Sequence, residues 1–241
     1  MDKKLAVVSH SGGLDSTTLL AYKLSQGYHV MPVNIKYGQR NAVEVFSQKN
    51  IIDYYKKIYP DQLDDTVNID LTPVFESIQG TIDGFRQKGY DNPKLKDLNE
   101  YFPNRNMLFL AFTGVFGELF AYKEKLPDIE ICLGIHKHTT YINYWDIKPD
   151  FAHAMKAAFE LNDALDVRVD TPFVEQTKED ITRLMKDLDV PYKLTWTCYT
   201  PVEKEKNAFV PCQKCPACIE RAEHAGKYVS DINDYSVRIK E

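Results

Sequence analysis

The chain has 241 residues, 44% hydrophobic and 27% charged, with a net charge of -5. That length suits one large domain, or a core domain with a small appendage. An acidic balance without any Lys/Arg run argues against a nucleic-acid binder, and no stretch approaches the length of a membrane span.

Residues Met1 to Lys4 lead into an apolar run too short for a signal peptide, so a cytoplasmic protein is expected. Leu5 to Val8 reads as a strand, followed at once by Ser11-Gly12-Gly13-Leu14-Asp15-Ser16-Thr17. Leu19, Leu20 and Leu24 then recur at helical spacing, and Gly27 ends the helix. Glycines between a strand and a helix let the backbone approach a ligand closely, and the new helix presents free N–H groups. The turn therefore reads as a phosphate cradle. The alternative is an ordinary strand-to-helix turn with Asp15 and Ser16 as caps.

His29 to Ile35 is a second strand, leading into Tyr37-Gly38-Gln39-Arg40 and a helix from about Ala42. Val67, Ile69 and Leu71 alternate as a third strand. Residues 72–103 have mixed composition and read as an insertion. Met107 to Tyr122 is apolar almost all round, which predicts a buried helix. Ile129 to Leu133 is a core strand ending at Gly134. A helix is marked by Phe151, Met155 and Phe159, and a short strand by Val167 and Val169. Ile181, Leu184, Met185 and Leu188 give the clearest amphipathic helix. Alternating strands and helices predict an α/β fold with a parallel, Rossmann-like sheet over residues 1–190. From Pro191 onward the composition changes, and residues 191–241 read as a small C-terminal subdomain.

That subdomain contains Cys212-Gln213-Lys214-Cys215-Pro216-Ala217-Cys218, with Cys198 upstream. Four thiolates suffice for a closed tetrahedral Zn²⁺ site, which would be structural because no coordination position stays open. An iron–sulfur cluster is the alternative. Cys132, alone in a strand, reads as a small core residue. His136 and His138, with no partner visible, read as loop histidines.

The string S-G-G-x-D-S resembles the pyrophosphate loop of the ATP pyrophosphatases. Further segments, in order, resemble one of their families, the 7-cyano-7-deazaguanine synthases. These are Tyr37-Gly38-Gln39-Arg40 with Glu44, Pro103-Asn104-Arg105-Asn106, Thr171-Pro172 with Lys178, Thr195-Trp196-Thr197-Cys198-Tyr199, and the final cysteines with Arg221. The resemblance implies that ATP adenylates the carboxylate of 7-carboxy-7-deazaguanine. Ammonia then gives an amide, and a second activation gives the nitrile. It implies catalytic roles for Asp15 (placing Mg²⁺), Arg40, Lys178 and Asp146. It implies ATP contacts from Ser11 to Thr17, Arg105, Asn106 and Gly134, and substrate contacts from Tyr37, Gln39, Tyr144 and Trp196. Tyr37 and Trp196 would stack on a purine-like base, against the alternative of core aromatics. A homodimer is the family's tendency.

Departures lie near the expected substrate. Lys36 and Asn41 replace the family's Asp and His around Y-G-Q-R. Trp145, Ile147 and Lys148 stand where the family has Pro, Cys and Arg. These changes motivate an alternative: a relative that stops at an amide, or joins the acyl group to an amine of a partner protein. A nucleotide-sensing module without chemistry is the reading from another class. A tRNA-thiolating reading would need a cysteine pair free of metal, and the acidic balance does not help it.

Overall fold

The computed structural model describes residues 4–37, 43–76, 102–137, 144–229, 231–232 and 234–239. Strand β1 (Leu5–Ser9) is followed by α1 (Leu14–Ser25), β2 (His29–Lys36), α2 (Val43–Ile58), β3 (Val67–Asp70) and the short α3 (Thr72–Glu76). Then come α4 (Arg105–Glu124), β4 (Asp128–Cys132), α5 (Pro149–Phe159), β5 (Asp166–Asp170) and α6 (Lys178–Asp187). The C-terminal part adds β6 (Val202–Glu205), β7 (Ala208–Val210), α7 (Pro216–Ala225) and β8 (Val237–Arg238).

The first five strands form one parallel sheet in the order β3-β2-β1-β4-β5. Central β1 alternates its side chains between two apolar layers, as the period of two in a strand requires. Ala6 and Val8 pack with α1, α2 and α6 on one face. Leu5 and Val7 pack with α4 and α5 on the other. The parallel α/β expectation is met. Because β2 and β4 flank β1 on opposite sides, the strand order reverses between β1 and β4, at their carboxyl ends. Open α/β sheets bind ligands at such a point.

Helix α4 corrects one expectation. Its apolarity all round predicts full burial, yet Val115, Leu119 and Tyr122 are exposed, Tyr122 at 87%. The helix covers one face of a sheet, so only its inner side is buried. That side carries Gly117, where a Cβ would lie 2.9 Å from Val7 Cγ2 and 3.0 Å from Ile129 Cδ1. Glycine here lets helix and sheet approach closely.

Helix α1 carries a lysine on its buried side. Lys23 Nζ lies 2.7 Å from Glu130 Oε2 and 2.5 Å from Asp170 Oδ2. Tyr28 donates its phenol proton to Glu130 at 2.8 Å. A buried charge is tolerated when it is paired in this way. Cys132 is fully buried beside this cluster, as a core residue should be.

The C-terminal segment is less separate than its composition suggests. Strands β6, β7 and β8 form an antiparallel sheet, and Trp196, Cys198, Cys218, Tyr235 and Val237 form a small core. Ala225 and Ile232, however, belong to the same apolar layer as Leu19 and Leu20 of α1. Most of the expected 72–103 insertion lies outside the described residues. Among the described residues, no helix is long and apolar enough to cross a membrane.

Candidate functional site

The β1–α1 turn is built to leave donors free. Gly12 adopts φ +97°, and a Cβ there would meet Gln48 N at 2.7 Å and the Glu44 carbonyl oxygen at 2.8 Å, so a side chain does not fit. Gly13 caps α1 without any side-chain hydrogen bond, leaving the first-turn N–H groups available. Gly13 N–H donates to Ser11 Oγ at 3.2 Å, and the Ser11 and Ser16 hydroxyls lie 3.3 Å apart. Hydroxyls, free N–H groups and the positive end of the helix dipole thus converge on one concavity.

Below the turn, burial pushes His10 down to about 3, so it is a neutral imidazole. Its Nε2 lies 3.2 Å from Thr17 Oγ1, whose proton goes to the Gly13 carbonyl at 2.7 Å. Thr17 is completely buried in this contact and supports the turn from beneath. The turn and the ends of β1, β2 and β4 frame a cleft of about 320 Å³, within the range of small-molecule sites.

Asp15 is the electrostatic centre. Both its oxygens lie 2.6 Å from Lys178 Nζ, and Oδ2 lies 3.6 Å from His136 Nε2. Burial alone would raise this carboxyl, but Lys178 and His136 hold it far below the usual carboxylate range. Lys178 is delivered by a capping box, in which Asp180 N–H donates to Thr177 Oγ1 at 3.2 Å and Thr177 N–H to Asp180 Oδ2 at 3.0 Å. Lys178 is the first residue of α6, so the cap fixes where its side chain starts.

On the opposite wall, Tyr37 packs edge-on against Phe102 and tilts against Phe109, at centroid distances of 5.2 and 5.5 Å. Burial works against the charge of Arg105, but Tyr37 and Asp146 more than offset this, and Arg105 remains a cation. Asp146 is itself buried. Its Oδ2 accepts from Asn106 N–H at 3.2 Å, and its carbonyl accepts from Asn106 Nδ2 at 2.9 Å. It anchors the start of α4.

Of the expected residues, Ser11, Gly13, Leu14, Asp15, Ser16, Tyr37, Arg105, Asn106, Gly134, Lys178 and Trp196 line the cleft. Gly12 and Thr17 support it from below. Asp146 and Tyr144 are not among its lining residues. Gln39 and Arg40 lie outside the described residues, as does His138. Trp196 does not stack into the cleft. Its ring is fully buried, edge-on to Tyr235, with Nε1–H donated to the Cys198 carbonyl at 2.9 Å. The core reading of this aromatic is the one that fits.

Among the lining residues not singled out for the site by sequence are His136 and Glu44. His136, read as a loop histidine, stands beside Asp15. Glu44 places Oε1 3.3 Å from where a Gly13 Cβ would be. Burial pushes its carboxyl up to about 7, against the opposing pull of the Ser11 hydroxyl and Arg105. Its only sequence signal is its place four residues after Arg40 in a family motif.

The cysteines form a second centre. The sulfurs of Cys198, Cys212, Cys215 and Cys218 all lie within 4.8 Å of one another. A tetrahedral metal with bonds of about 2.3 Å would set sulfurs about 3.8 Å apart, so the four fit such an ion with little movement. Sulfur acceptors are already served: Cys212 N–H points at Cys198 Sγ (3.2 Å), and Cys215 N–H and the Thr200 hydroxyl at Cys212 Sγ (3.3 and 3.1 Å).

The family model described as "Queuosine biosynthesis protein QueC" matches residues 5–228. A protein of Picrophilus torridus named 7-cyano-7-deazaguanine synthase is 36% identical, the match covering 90% of this chain and 84% of that protein. Proteins of the same name from Caldicellulosiruptor bescii and Thermoplasma acidophilum are 34% and 33% identical. The first of these matches covers 97% of this chain and 98% of the relative; the second covers 92% and 87%. A phosphate-type cradle at the sheet's reversal point, four gathered cysteines and these matches lead to one statement of kinship: the chain belongs to the QueC family.

Proposed function

We propose that the protein is an ATP-dependent carbon–nitrogen ligase that converts 7-carboxy-7-deazaguanine and ammonia to 7-cyano-7-deazaguanine. The observation that carries this reading is the uncapped start of α1, with its hydroxyls, glycines and Asp15, meeting Lys178 in one cleft. The substrate carboxylate oxygen attacks the α phosphorus of ATP, pyrophosphate leaves, and an acyl-adenylate forms. Ammonia then displaces AMP and loses a proton, giving the amide. A second ATP is attacked by the amide oxygen, pyrophosphate leaves again, and loss of AMP and both nitrogen protons leaves the nitrile.

A carboxylate is a poor electrophile, and adenylation supplies the missing leaving group. The protein's part is orientation and charge stabilisation. Ser11, Ser16 and the α1 N–H groups would hold the departing phosphates, with Lys178 and Arg105 as their cations. Asp15 is the carboxylate that would hold Mg²⁺, which would supply positive charge for the phosphates. The apolar wall of Val33, Ile35, Leu133 and Ile135 suits a flat heterocycle. The cysteines would hold Zn²⁺ in a structural role.

A second reading keeps the activation and changes the ending. Ile147, which stands where the family has Cys, lines the cleft. Without a thiol in that wall, the acyl group would pass once to an amine and stop at an amide, including an amide to a protein amine. Pyrophosphate exchange into ATP, dependent on the carboxylate, tests the shared first step; its absence would refute both readings. Mass spectrometry of the product with ammonia separates nitrile from amide.

A further inference from the structure

Arg221 lies on α7, three residues beyond Cys218, and is fully buried. Its Nε donates to the Ile232 carbonyl at 3.0 Å and Nη2 to the Tyr192 carbonyl at 2.8 Å. Nη1 donates to the Thr195 and Thr197 hydroxyls at 2.9 and 2.8 Å. The guanidinium also stacks 4.2 Å from the Tyr235 ring centroid. Every hydrogen-bond partner is neutral. Among the described residues no carboxylate forms an ion pair with it.

A buried guanidinium satisfied only by neutral acceptors still lacks a compensating charge. Four thiolates around one divalent ion carry a net double negative charge, and Cys218 sits one helical turn before Arg221. Cys218 and Asp15 both favour the charge of Arg221, and a filled cysteine centre would supply it with a nearby counter-charge. Its donors, meanwhile, grip the 192–197 segment. From that segment Trp196 N–H donates to the Gly12 carbonyl at 3.0 Å. Ser47 Oγ donates to the same carbonyl at 3.2 Å and also reaches the Leu194 carbonyl. A continuous chain of contacts runs from the cysteines to the glycine turn of the cleft.

We propose that Arg221 is a positioning residue that transmits the state of the four-cysteine centre to the phosphate loop, so that a filled centre tightens polyphosphate binding. The proposal rests on the reading above that the loop binds phosphates and the cysteines a metal. In these terms the centre does more than hold an appendage together. It sets the orientation of the Gly12 peptide, and hence of the donors that follow it.

The test measures inorganic pyrophosphate affinity by calorimetry, metal content by elemental analysis, and unfolding temperature, on the full chain. Arg221→Lys keeps the charge but loses the planar fork. The expected result is unchanged metal content with pyrophosphate affinity reduced about tenfold, a typical coupling magnitude. Metal-stripped wild-type protein should show a loss of similar size. Thr195→Val removes one acceptor of Arg221 without touching the cleft and should move affinity in the same direction by a smaller factor. A residue that only stabilises the fold would lower the unfolding temperature and leave affinity at the wild-type value. That outcome in Arg221→Lys and Thr195→Val overturns the coupling while the phosphate reading stands. If metal-loaded wild-type protein binds no pyrophosphate, the phosphate reading itself fails, and the proposal with it.

Discussion

Replacing Glu44 by Gln should make the protein more stable at alkaline pH and change little at acidic pH. The carboxyl lies against Gly13 and the Ser11 hydroxyl, where burial raises it from an ordinary 4.5 to about 7. Below pH 4.5 it is protonated in both folded and unfolded chains and costs nothing. Between 4.5 and about 7 the unfolded chain releases the proton while the folded chain keeps it, so stability falls as pH rises. Above about 7 both forms are ionised, and the full burial cost, up to about 3 kcal/mol, is carried by the native state. Glutamine has the same shape and no charge, and its amide oxygen can still accept from Ser11. Urea unfolding of both proteins, at intervals from pH 4.5 to about 8, measures the difference. The gap should be near zero at the acid end and widen to a plateau above about pH 7. A gap of constant size across the range would refute the argument, because it would owe nothing to ionisation. The result would also mark Glu44 as a group kept in the cleft at the expense of stability, a common signature of functional sites.

Gly12→Ala should cost at least about 2 kcal/mol, since the new Cβ combines a left-handed φ with backbone clashes; urea unfolding reads the loss, and calorimetry should find pyrophosphate binding weakened too. Thr177→Ala removes the capping box of α6 and should cost about 1 kcal/mol, measured as a lower denaturation midpoint with an unchanged slope.

The β1–α1 cradle was legible in the sequence because everything that makes it is local. A strand period, two glycines and a helical leucine pattern lie within some twenty residues. The cysteine centre was legible for a similar reason, since three of its four ligands fall in seven positions. Glu44 and His136 were not, because each is a single polar residue whose place depends on which strands become neighbours. His136 meets Asp15 only because β4 pairs with β1. Trp196 stayed open between base stacking and the core because its motif carries no record of Tyr235, the ring it packs on from 39 positions away. In α4, counting apolar residues said nothing about which of them would face the sheet. The change in composition at Pro191 gave no sign that Tyr192, Leu194, Ala225 and Ile232 would pack with the main core.

The ion pairs at the two ends of α1 run in opposite senses. Asp15 near its start meets the cation Lys178, and Lys23, about 12 Å further along, meets the anions Asp170 and Glu130. Lys178 and Asp170 both belong to the β5–α6 stretch, so helix and stretch mate like a keyed connector. A slip of one turn would break the pairs at both ends at once. Only the Asp15 end opens into the cleft, where an arriving anion can compete for Lys178. At the other end Lys23 is buried between its two anions. A ligand that draws Lys178 from Asp15 would therefore loosen α1 at the glycine turn while Lys23 still holds its far end.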